Sequence, residues 1–151
     1  MAYNQVSMYP AAGVHGAKAT TQPSIYTPIS PLVADEAGIA VGSFVAAGED
    51  EGTATATISA TSDIIGFAER VINYPNYDVD SEGSLVVPEG YALTVAVKGD
   101  YYVNAPATVA VGDAVMVDTA GAVASDGMID SGWVYKTSGD EGEAVIISNW
   151  A

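Results

Sequence analysis

Residues 91–98 read YALTVAVK. Tyr91, Leu93, Val95 and Val97 fall at alternate positions, with Ala92, Thr94, Ala96 and Lys98 between them. A strand sends successive side chains to opposite faces, so this run predicts an amphipathic strand. Thr53–Thr61 (TATATISAT) keeps the same strict period. Shorter runs of strand type follow at Val41–Ala47, Ile64–Val71, Ser84–Val87, Asp100–Val103, Ala114–Asp118, Gly132–Thr137 and Glu143–Ser148. Lys98-Gly99-Asp100 reads as a tight reversal between two of them. Turn signals this closely spaced belong to a sandwich or a barrel. The fold predicted is all-β: a compact antiparallel β-sandwich or β-barrel with an extended N-terminal arm.

The arm is residues 1–33 and the β domain 34–151. Residues 1–33 hold Pro10, Pro23, Pro28 and Pro31 and little alternation, which describes extended, turn-broken chain. They also hold Tyr3, Met8, Tyr9, Tyr26 and Ile29. A disordered tail is poorer in such residues, so the arm is expected to lie along a surface, its own or a partner's. Inside the β domain the sequence echoes itself. AVGSFV (40–45) matches AVGDAV (110–115), and GFAER (66–70) matches GWVYK (132–136). Either a hairpin is duplicated, or two hairpins written in Val, Ala and Gly look alike.

Composition agrees with the strands. There are three Leu (Leu32, Leu85, Leu93) against many Val, Ile, Thr and Tyr, the residues that suit pleated surfaces. At 151 residues the chain fits one domain, or one domain plus an arm, with room for a core. It has no Cys, which removes disulfides and thiolate metal sites. No run of 18 apolar residues is present to span a membrane as a helix. The N-terminus lacks a basic region followed by an apolar core, so no secretory signal is expected. Synthesis in the cytoplasm is expected, with exit only as part of something larger.

Charge narrows the partners. The formal net charge is −15, with only Lys18, Arg70, Lys98 and Lys136 as cations. Phosphate backbones are gripped by Lys and Arg that displace counterions, so nucleic acid is not an expected partner. An anionic membrane surface would repel the chain. The acidity reads first as solubility, and second as complementarity to a basic partner or a salty environment.

Candidate chemistry is sparse. His15, the single His, sits in the arm, where a triad base would lack rigid support. An interface contact or a polar arm residue is the better reading. No G-x-S-x-G, H-E-x-x-H or P-loop is present. Most carboxylates fall in turns, such as Asp35-Glu36, Glu49-Asp50-Glu51 and Asp140-Glu141. In GDAVMVDTAG (112–121), Asp113 and Asp118 are an odd number apart and face opposite ways on a straight strand, so they are not expected to share a metal. Residues 78–89 (DVDSEGSLVVPE) place Asp78, Asp80, Glu82 and Glu89 at calcium-loop positions. Glu82 at position 5, Pro88 at position 11 and flanks of loop and strand depart from an EF-hand. An acidic surface loop is the preferred reading, with no metal and no cofactor required. Trp133, inside an apolar-patterned strand, is expected in the core. Trp150 either closes the end of the β body or anchors an interface.

Three stretches carry a family resemblance: PAAGVHGAKA (10–19), IIGFAERV (64–71) and ALTVAVKGDYYVNAPATVAVGDAVMVD (92–118). With them the chain resembles the structural cement, or capsid decoration, proteins of tailed bacteriophages. The resemblance covers most of the chain, though its motifs are hairpin grammar and not chemistry. It implies a non-enzymatic β protein, often a homotrimer, on the outside of the virion, bound to the major capsid protein where subunits meet. Under that reading Tyr3, Met8, Tyr9, His15, Tyr26 and Trp150 are the candidates for capsid or inter-subunit contacts. The rival readings are a β-sandwich carbohydrate- or host-binding module of a virion or fibre, and a glycosidase built on two carboxylates. The size of the chain and the lack of a positioned His or Arg cluster weigh against the last.

Overall fold

The structure, a computed structural model, describes residues 13–71 and 85–150. Along the chain run β1 (Ile25–Tyr26), β2 (Leu32–Val33), β3 (Ile39–Ala40), β4 (Phe44–Ala47), β5 (Thr53–Thr55) and β6 (Ile64–Ala68). They are followed by β7 (Val86–Val87), β8 (Val95–Lys98), β9 (Asp100–Asn104), β10 (Ala114–Val117), β11 (Ile129–Tyr135) and β12 (Ala144–Ser148). A 3-10 turn at Thr61–Asp63 is the single helical element among the described residues. The fold is all-β, as the alternation predicts.

Six strands form a sheet in the order β1-β8-β6-β4-β5-β2. It curls until β2 meets the run entering β8, through a bridge between Leu32 and Ala92. A second sheet has the order β10-β11-β12-β9, and β3 pairs with β7. The pairs are antiparallel except β2 with β5, which is parallel. The chain passes through β3 and β4 between those two strands and so arrives at β5 pointing the same way as β2.

Two cores result, and the curled sheet lies between them. Phe44 and Ala46 of β4 enter the larger core with Phe67, Tyr101, Val115, Trp133 and Ile147. Val45, between them, enters the smaller core with Val33, Ile39, Leu93 and Val95. Burial of both faces explains why 44–46 reads as continuous apolar chain rather than as alternation. Five aromatic residues lie in the larger core, and the rings of four of them, Phe44, Phe67, Tyr101 and Trp133, pack together. Phe44 lies 5.2 Å from Phe67 and 5.7 Å from Trp133, and Phe67 lies 5.0 Å from Tyr101. Trp133 is thus a core residue, as its strand context predicts. Each such ring is worth roughly 1.5–3 kcal/mol in burial.

Two local expectations are corrected. TATATISAT is a strand only over Thr53–Thr55. Ile58 leaves the ladder to fill the larger core, and its N–H donates to Thr119 O at 3.0 Å. The alternation of small Ala and Thr supplies pattern without enough apolar bulk to hold a full strand on a core. Lys98-Gly99-Asp100 is not a hairpin reversal: β8 and β9 belong to different sheets, and Gly99 is the corner where the chain crosses from one to the other.

The sequence echo is an echo of geometry. Gly42 and Gly112 have φ of 84° and 94°, a region that favours glycine, and each precedes a strand by two residues. Their N–H groups donate to Ala68 O and Tyr135 O, each the last residue of the antiparallel partner strand, at 2.8 Å. Gly142, with φ 84°, repeats the arrangement before β12, donating to Ala105 O at 2.8 Å. In the two later copies a carboxylate holds the turn: Asp113 Oδ2 accepts from Ala110 N–H at 2.9 Å, and Glu143 Oε2 from Asp140 N–H at 2.8 Å.

Candidate interaction surface

Several acidic side chains serve the backbone around them. Asp118 Oδ1 accepts from the N–H groups of Ala120 and Ala122, and Asp130 Oδ1 from Gly132 N–H. Val115 and Val117 are fully buried while Asp113 is exposed, so GDAVMVDTAG is a turn, a core strand and a second turn. Among the described residues no three His, Asp or Glu side chains converge as metal ligands. Asp78, Asp80 and Glu82 lie outside the described residues; Glu89 is exposed in the turn before Tyr91. Tyr3, Met8 and Tyr9 also lie outside them.

The described part of the 1–33 segment is stitched along its own β body. Gly16 N–H donates to Tyr102 O at 2.7 Å, Tyr102 N–H to Ala17 O at 2.8 Å, and Ala19 N–H to Asp100 O at 2.8 Å. Residues 16–19 thereby extend the second sheet beyond β9. His15 is half-buried, and its Nδ1 accepts from Asn104 N–H at 3.0 Å. An accepting Nδ1 means a neutral ring with its proton on Nε2. Burial first, and the Arg70 guanidinium second, hold the imidazole below its ordinary value of 6.5, against a hydrogen bond with the Gly42 backbone. The ring lies directly on Gly42, where a Cβ would overlap it.

Further along, a polar cluster ties the segment to the core. The Tyr101 hydroxyl donates to Glu69 Oε2 at 2.7 Å and lies 2.9 Å from Ser24 Oγ. The Tyr26 phenol lies near the same carboxylate. Burial is the main cause that pushes both phenols up, and the Glu69 carboxylate adds to it. Two neutral phenols around one buried carboxylate form a structural clasp, with no proton to give near neutral pH.

Beyond this clasp the surface changes character. Residues 25–33 run antiparallel to 91–98: Ile25 pairs with Lys98, Tyr26 with Ala96, and Val33 N–H donates to Tyr91 O at 2.9 Å. Among the described residues, six of the nine exposed large hydrophobic side chains lie along this edge: Ile25, Tyr26, Ile29, Leu32, Tyr91 and Val97. Ile29 is 75% exposed. At about 3.3 Å per residue the edge is on the order of 20 Å long. Lys98 Nζ lies 5.2 Å from the centre of the Trp150 ring. The Trp150 Nε1 is buried without a partner among the described residues, so Trp150 sits against the body beside this edge.

Of the six interface candidates the structure brings Tyr26 to the edge and Trp150 beside it, and places His15 in the attachment to β9. Periodicity did not single out Ile25, Leu32, Tyr91 and Val97 as a surface. Their signal was a gap in charge: no charged residue occurs from Ala19 to Ala34 or from Gly90 to Val97, in a chain of net charge −15.

The fold is a β-built body of strongly acidic composition with exposed apolar side chains along the paired runs 25–33 and 91–98. A family model described as "Structural cement protein (E217 gp24/Pam3 gp6)" matches residues 3–149, and the chain belongs to that phage cement family. A chain of the solved structure titled "The capsid of Myoviridae Phage XM1" is 19% identical, covers 99% of this chain and is itself covered over 98%, with a TM-score of 0.57. That likeness is one of fold. No curated protein matches the chain. Family membership gives the chain a structural role in a phage capsid.

Proposed function

We propose that the chain is a non-enzymatic cement protein that binds the outer surface of the major capsid protein shell and bridges neighbouring subunits. The observation that carries this reading, beside the family match, is the uncharged apolar edge on a strongly acidic β body. An apolar patch on an otherwise charged surface is where partners dock. Bracing a shell asks for a rigid body, repeated identical contacts and avidity, and no catalytic group. The cores and the backbone-stitched arm supply the rigidity. Residues 1–31, with Tyr3, Met8 and Tyr9, make contacts between subunits, and three copies associate at each site.

The test is co-sedimentation of purified chain with capsids that lack it, followed by heating of bare and decorated shells. The reading expects saturable binding and a higher rupture temperature for decorated shells. Absence of binding at micromolar chain would refute it.

A further inference from the structure

The apolar edge differs from an exposed sheet edge in what it can offer. Pro28 and Pro31 lie within residues 25–33 and have no N–H, and Thr27 Oγ1 already donates to Ile29 O at 2.9 Å. Proline on an edge removes the donors that a pairing strand needs. The edge therefore binds through side chains. Tyr26 suits this, because its backbone is fixed by pairing with Ala96 while 42% of the residue stays exposed. A preordered aromatic loses little entropy on docking.

The surroundings of the edge are asymmetric. At the Leu32 end three acidic turns meet. Leu32 N–H donates to Gly52 O at 2.9 Å, which brings Glu51 alongside. Gly90 N–H donates to Val33 O at 2.9 Å, which brings Glu89 alongside. Glu36 follows three residues after Val33, and all three of these carboxylates are exposed. At the Ile25 end stands Lys98.

We propose that the edge formed by Ile25, Tyr26, Ile29, Leu32, Tyr91 and Val97 docks onto an apolar surface of a capsid subunit that carries Lys or Arg against the Leu32 end. This rests on the capsid-binding reading above and adds to it the contact surface and the chemistry of the partner. A second copy of the chain is the poorer fit. It has four cations against 19 carboxylates. Two copies laid antiparallel would set one Lys98, already over the Trp150 ring, against Glu36, Glu51 and Glu89 of the other. A basic-rimmed apolar surface satisfies both halves of the edge at once, the apolar part by burial and the acidic end by charge.

The experiment measures binding of three proteins to capsids that lack the chain: wild type, Ile29→Asp, and the pair Glu51→Lys with Glu89→Lys. Thermal melts and sedimentation equilibrium accompany each. Ile29 is so exposed that its substitution leaves the fold intact. The inference expects unchanged melts and an unchanged oligomeric mass. It expects capsid affinity about tenfold weaker or more for Ile29→Asp, the effect of removing a central contact. The charge-reversed pair is expected to bind more weakly than wild type at low salt and to lose its salt dependence. Wild-type affinity for Ile29→Asp would overturn it. So would a changed oligomeric mass with capsid binding intact, which assigns the edge to a second copy. Failure of wild type itself to bind would overturn the capsid reading and this inference together.

Discussion

His15 is the single titrating imidazole of the chain, so its ionisation can be followed without ambiguity. Its neutral form accepts the Asn104 N–H; the protonated form has no lone pair to do so and adds a charge beside Arg70. Because burial and Arg70 depress the docked value, the free arm binds the proton more readily than the docked one. Attachment is therefore complete above about pH 6.5 and is lost as pH falls through the docked value. Protection of the Gly16 and Ala19 amides against hydrogen exchange is expected to fall by up to about tenfold per pH unit in that window. In His15→Gln the fall is expected to vanish. A pH-independent protection factor in the wild type would contradict this. In the Glu69 clasp, Tyr101→Phe leaves a buried carboxylate one donor short and is expected to cost about 1–3 kcal/mol in chemical denaturation.

At the scale of elements, the three turn-and-strand units centred on Gly42, Gly112 and Gly142 make a graded comparison. A Cβ at Gly142 meets nothing within 4 Å, so Gly142→Ala carries only the cost of its positive φ, about 1–2 kcal/mol. A Cβ at Gly42 would also strike the His15 ring. Gly42→Ala is expected to melt lower than Gly142→Ala and, unlike it, to free residues 13–19 to protease. Equal melting temperatures for the two variants would contradict the packing described. The same units show what was legible in sequence. Period 2 finds Ala114–Val117, where one face is core and the other solvent. It loses the curled sheet, where Phe44, Val45 and Ala46 fill two cores. It misreads TATATISAT, because Ala and Thr alternate without the bulk that decides burial. Gly99 looks like a hairpin because a corner between sheets and a reversal share the same residue type. The attachment of residues 13–19 rests mainly on backbone hydrogen bonds, which any sequence can make, with the His15 ring added to them, so little in the sequence beyond the glycines hinted at it.

For the whole molecule, charge and shape act together. A net charge of −15 opposes the approach of other acidic surfaces, and the uncharged edge is a place where close contact costs little repulsion. Exposed ion pairs are screened over a Debye length of about 8–10 Å at ordinary salt, whereas apolar contact is not. Capsid affinity is therefore expected to weaken with added salt and then level off at the apolar contribution. Complete loss of binding at high salt would mean that the edge contributes nothing. The measurement that bears most directly on the central claim is a cryo-EM comparison of capsids with and without the chain. The account predicts added density on the outer surface at junctions between major capsid subunits, with the edge Ile25–Leu32 turned toward the shell. Shells that look the same with and without the chain, or density confined to the interior, would contradict it.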